Sequence, residues 1–128
     1  MKSTIRIFIV FACAYATAGA TAGALDECMI RGDQTVVTKC LIEADHEANA
    51  ALIKAEGSAG ARARQLDTAT GRPGAAAALA KSMRAFNEYR KEQCDFVKAM
   101  YASGAGADQG LIGCRVDITR RRVRDLQP

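Results

Sequence analysis

Five cysteines are the most reactive side chains in this 128-residue sequence: Cys13, Cys28, Cys40, Cys94 and Cys114. Thiols can form disulfides, hold zinc, carry a lipid or act as nucleophiles, and spacing and compartment decide among these. The compartment is indicated by the first 24 residues. Lys2 and Arg6 give a short positive segment, and Ile7 to Ala16 is apolar. Ala18-Gly19-Ala20 and Ala22-Gly23-Ala24 both read as small-x-small cleavage sites. This pattern predicts an export leader over residues 1–24, cut after Ala24 because Leu25-Asp26-Glu27 begins a charged segment, with Ala20 as the alternative. The stretch is too interrupted by small and polar residues for a spanning anchor. Val10-Phe11-Ala12-Cys13 is a poor lipidation site, because Phe11 stands where a small residue is needed.

Loss of the leader leaves Cys28, Cys40, Cys94 and Cys114 in a chain bound for an oxidising periplasm or exterior, and two disulfides follow. Zinc would need a tighter pair of cysteines than C-x11-C, and His46 is the single imidazole. Four cysteines allow three pairings. Neighbour pairing, Cys28 with Cys40 and Cys94 with Cys114, closes two short loops, each contributing about 3 kcal/mol in the chain-entropy model. No catalytic residue, metal or cofactor is expected. His46 lies between Asp45 and Glu47 without a Ser or Cys nucleophile in a recognisable relation to it. Gly104, Gly106 and Gly110 follow no strand, so they do not read as a phosphate cradle. Arg31-Gly32-Asp33 spells an integrin-binding tripeptide by coincidence.

The elements that position these residues read as helices. The chain is 49% hydrophobic but only 5% aromatic, with two prolines and no tryptophan. It is one small domain, residues 25–128, with little large side-chain area to bury. Val37, Leu41, Ala44, Ala48, Leu52 and Ala55 recur at helical spacing, with Asp33 or Thr35 as candidate caps. That stripe continues to Ala59, Ala63 and Leu66, with a break possible at Gly57 and Gly60, and ends at Thr70-Gly71-Arg72-Pro73-Gly74. A second helix is expected from Ala75 to Tyr101, with Leu79, Met83, Phe86, Val97 and Tyr101 inward. After a glycine-rich turn over Ser103 to Gly110, Asp108 would cap a third helix from Leu111 to Leu126. The expected fold is a small, all-α, antiparallel three-helix domain stapled by two disulfides.

Several residues in this frame form an ordered set: Cys40, Asp45-x2-Ala48-Asn49, Phe86-x2-Tyr89-Arg90-x3-Cys94, a glycine-rich turn, and Cys114-x4-Thr119-x2-Arg122-x3-Leu126. The set resembles the LprI-type lysozyme-inhibitor family of small secreted bacterial proteins, from Cys28 to Leu126. Phe86 stands where that family usually has Trp, and Ala48 where it usually has Leu. Both keep an apolar side chain, so the resemblance implies the same fold with a smaller core. It also implies binding to a lysozyme-type muramidase, with Asn49, Phe86, Tyr89, Arg90, Thr119, Arg122 and Leu126 as motif positions. Arg122 reads as a helix-to-helix hydrogen-bond donor and Asn49 as a cross-link between helices.

Charge gives an independent view of the partner. Leu25 to Glu56 holds seven acids and three bases, a net of −4, while the remainder of the mature chain carries +6. Animal lysozyme is basic, so the acidic face bearing Glu43, Asp45 and Glu47 is the expected contact surface. The same acids at this spacing also suit a solvated helix face. The basic tail, with Arg115, Arg120, Arg121 and Arg124, offers the alternative of docking on an anionic envelope component. Nucleic acid is not expected as a partner of an exported chain without aromatic interleaving.

Overall fold

The computed structural model describes residues 22–102 and 104–128. Within them four α-helices follow one another: α1 (Ala24–Met29), α2 (Gln34–Thr70), α3 (Ala75–Met100) and α4 (Ala105–Asp125). The fold is all-α with both neighbour-paired disulfides, Cys28–Cys40 and Cys94–Cys114. The expected count of three helices is corrected to four, because the approach to the first long helix is itself a short helix held against α2 by the Cys28–Cys40 bond.

Helix α2 starts where Asp33 caps it, its Oδ1 accepting from the backbone N–H of Thr35 and Val36 at 2.9 and 3.1 Å. Val37, Cys40, Leu41, Ala48, Leu52 and Ala59 form its buried stripe. The helix passes Gly57 and Gly60 without a break and stops at Gly71, whose φ of 63° is the left-handed conformation that glycine adopts freely. The following turn is tied by Asp67. Its carboxylate accepts from the N–H groups of Gly74, Ala75 and Ala76, so a residue of α2 caps α3.

Helix α4 differs from expectation at its start. It begins at Ala105, six residues earlier than the stripe beginning at Leu111 suggests, so the glycine-rich segment is mostly helix. Asp108 lies in its first turn rather than at its cap and pairs with Lys98 at 2.7 Å. The reason is close packing. A Cβ on Gly110 would stand 2.5 Å from Tyr101 Cε2, and one on Gly113 would stand 3.1 Å from Leu25 Cβ. These glycines are needed for close approach, and the contacts around them offset their poor helix propensity. Tyr101 lies just past the end of α3 and is 45% exposed, although its ring covers Gly106 and Gly110.

Cross-links fix the register. Asn49 meets Arg90 and Gly60 meets Leu79, so α2 and α3 are antiparallel. Lys98 meets Asp108, Cys94 meets Cys114, Arg90 meets Thr119 and Ser82 meets Arg122, so α3 and α4 are also antiparallel. Helices α2 and α4 therefore run parallel, with Gln34 beside Gln109, Asp45 beside Arg115 and Arg62 beside the Leu126 carbonyl. The core joins Ala24 and Cys28 of α1, Val37, Cys40, Leu41 and Ala48 of α2 and Val116 of α4. Cys94 is the buried residue of α3, whose expected inner residues Leu79, Met83, Phe86 and Val97 are half-buried. Beyond Arg62, α2 continues for eight residues, about 12 Å of helix, and pairs with the alanine-rich start of α3.

Candidate functional site

The motif positions fall into an interior network and an exterior remainder. Arg90 reaches from α3 and its Nη1 donates to Asn49 Oδ1 of α2 at 3.1 Å and to Thr119 Oγ1 of α4 at 2.9 Å. One guanidinium thus ties three helices. Asn49 is oriented by donating its amide to the Asp45 carbonyl at 2.8 Å, and Thr119 is fully buried. Phe86 meets two guanidiniums, with the Arg90 and Arg122 carbons each 5.4 Å from its ring centroid. Arg122 also donates to Ser82 Oγ at 2.8 Å. The ring's electron-rich π-system is therefore within reach of two cations. The planar fork of arginine, rather than the point charge of lysine, suits a residue that must stack and donate together. Tyr89 and Leu126 stand apart from this network. Tyr89 is exposed, and Leu126 ends α4 with its carbonyl accepting from Arg62.

The acidic face expected to bear Glu43, Asp45 and Glu47 together is split, because Asp45 turns toward α4. Glu43 and Glu47 lie one turn apart and are exposed, whereas Asp45 points to α4 and accepts from Arg115 Nη2 at 2.8 Å. The Asp45 side chain is 16% exposed, so it is a helix-to-helix contact and no part of the outward acidic surface. His46 is exposed beside that surface. Next to Glu43 a shallow groove is lined by Gln34, Thr35, Thr38, Lys39 and Ile42. Ile42 is 44% exposed, so an apolar side chain lies open beside the acids.

The basic tail divides similarly. Arg115 is engaged by Asp45, and Arg120 donates to Glu27 of α1 at 2.8 Å. Arg121 and Arg124 are exposed and line a cleft with Glu27, Asp117 and Arg120. Two pairs thus draw the acidic first segment and the basic last segment together, because α4 lies parallel to α2 and also packs on α1.

Four contributors escape sequence reasoning. Gln109 is buried and donates to the Gln34 carbonyl and to Thr38 Oγ1, Asp117 accepts from the Ala24 N–H, Ser82 accepts from Arg122 and Asp67 caps α3. Each is a polar residue whose partner is distant in the chain or outside the apolar stripes, so periodicity carries no sign of it. Among the described residues no helix is long and apolar enough to cross a membrane.

A scan against protein-family models matches residues 13–126 to the family described as lysozyme inhibitor LprI. The search of curated proteins and the search of solved structures returned no match.

Proposed function

Because the chain belongs to the LprI lysozyme-inhibitor family, we propose that it is an exported binding protein that engages a lysozyme-type muramidase through the outward face of the first half of α2. Glu43 and Glu47 provide the charge and Ile42 the apolar contact. The observation that carries this reading is the exposure of all three, with Ile42 and Glu43 lining an open groove, on a family member whose intervening acid, Asp45, is already paired. A cationic enzyme surface is attracted by unpaired carboxylates, and an exposed branched side chain beside them gives the contact area that charge alone lacks. Inhibition then works by occlusion. The two disulfides suit an oxidising compartment, which supports export.

The test is inhibition of a purified basic lysozyme by the oxidised protein. Replacing Glu43 and Glu47 together by Lys should weaken inhibition by about tenfold or more at low ionic strength, with the difference shrinking as salt is raised. Unchanged inhibition by that double variant would remove α2 as the contact surface.

A second reading rests on Arg121 and Arg124, which stay exposed at one end of α4 while Arg115 and Arg120 are paired. In it the protein docks on an anionic envelope component. Co-sedimentation with vesicles containing anionic lipid, lost on replacing Arg121 and Arg124 by Glu, separates this reading from the first.

A further inference from the structure

The residues just ahead of α1 and at its start are built into the fold. Ala24 is fully buried, in the same cluster as Cys28, Leu41 and Val116. Its N–H donates to Asp117 Oδ1 of α4 at 2.8 Å, across 93 residues of sequence. Gly23 supplies the carbonyl that accepts from the Glu27 N–H at 2.9 Å, which is the first hydrogen bond of α1. Asp117 Oδ2 stands 2.8 Å from the point a Cβ on Gly23 would occupy, so a side chain there would displace the carboxylate. Gly23, Ala24 and Asp117 together dock α1 on α4.

We propose that the export leader is cut between Ala20 and Gly23, after Ala20 or after Ala22, so that the mature protein keeps both Gly23 and Ala24. This rests on the export reading above and goes beyond it by placing the hydrolysed bond. Ala20-Thr21-Ala22 is a further small-x-small sequence, and Ala18-Gly19-Ala20 is the one already noted. At either, water adds across the peptide bond, leaving a carboxylate on the leader and an ammonium on Thr21 or Gly23. An ammonium on Gly23 would be carried on an α-carbon that already lies against the Asp117 carboxylate.

Cutting after Ala24 gives a poorer product on four counts. It removes a buried core residue, the carbonyl that closes the first turn of a helix only six residues long, and the N–H that satisfies Asp117. It also places a new charge on the Leu25 nitrogen, which packs 3.4 Å from where a Cβ of Gly113 would stand. Leader cleavage precedes folding, so the argument concerns which product completes the fold, not which bond is accessible in it.

Two experiments test this. The full-length chain is expressed with its leader in a secreting bacterium, and the exported protein is read by intact mass and N-terminal sequencing. A first residue of Thr21 or Gly23 is the expected result. A first residue of Leu25 overturns the placement while leaving export intact, and an uncut chain overturns both. In parallel, oxidised chains beginning at Gly23 and at Leu25 are compared by thermal unfolding. The Leu25 form should unfold several degrees lower, about 5 °C for a chain of this size. Asp117→Ala should lower the midpoint of the Gly23 form more than that of the Leu25 form. Equal midpoints, or equal effects of Asp117→Ala, would also overturn the proposal.

Discussion

At the scale of single residues, the interior is held by one guanidinium more than by any apolar side chain of α3. Arg90 donates to Asn49 and Thr119 and lies over Phe86, which Arg122 also meets. Thr119→Val keeps the shape of a fully buried side chain and removes the acceptor. It should cost about 1–3 kcal/mol by urea unfolding, because the Arg90 donor is left short of a partner. Arg90→Met should cost at least as much, and the two substitutions should couple by about 1 kcal/mol in a double-mutant cycle; strict additivity would show that the contact adds nothing. The sequence reading gives Asn49 as a cross-link and Arg122 as a helix-to-helix donor, which they are, but assigns Arg90 no role. A motif arginine reads equally as ligand or cross-link until the helices bring it to Asn49 and Thr119.

At the scale of elements, the devices that set helix ends are polar and distant. The Asp67 carboxylate accepts from the N–H groups of Ala76, Ala75 and Gly74, and these hydrogen bonds hold its pKa below the ordinary value of 3.8. A depressed carboxylate stabilises the fold above its ordinary value, and that contribution is lost as pH falls through the lowered one. Amide exchange at Gly74, Ala75 and Ala76 should therefore speed up in strong acid before the Cys94–Cys114 end of the molecule opens. Asp67→Ala should abolish that pH dependence. Helix α4 shows the other device. Gly110→Ala gains about 1 kcal/mol of helix propensity but drives a methyl into the Tyr101 ring, so it should be destabilising by about 1–2 kcal/mol. In a Tyr101→Ala background the same substitution should turn stabilising. Sequence periodicity located α2 closely because its buried stripe is long. It missed the first six residues of α4, since glycines read as a turn unless the ring that needs them is in view.

At the scale of the whole molecule, a core made largely of alanine, cysteine, leucine and valine is small for its helical length. The disulfides accordingly matter. Cys94→Ala with Cys114→Ala, which frees a loop with a sequence separation of 20, should lower stability by about 3 kcal/mol in chemical unfolding. The parallel packing of α2 and α4 also pairs Asp45 with Arg115, and the packing of α1 on α4 pairs Glu27 with Arg120. Of the charges expected to meet a partner, Glu43 and Glu47 on α2 and Arg121 and Arg124 on α4 stay exposed. Exposed charges of this kind steer association more than they stabilise a fold, which makes the ionic-strength dependence of inhibition the informative measurement.

The sequence alone determined the helical class, the span of α2, the presence of two bridges and the residues of the family motif. These follow from local rules: apolar residues repeating every three or four positions, cysteines in an exported chain, and spacing within a helix. Tertiary structure alone decided which charges face outward, why α4 starts among glycines, and that Arg90 joins three helices. It also decided that Ala24 and Asp117 dock the first helix. Those outcomes depend on residues of different helices meeting, some of them 29 to 93 positions apart, and the register of their faces is set by packing that no single segment of the chain encodes.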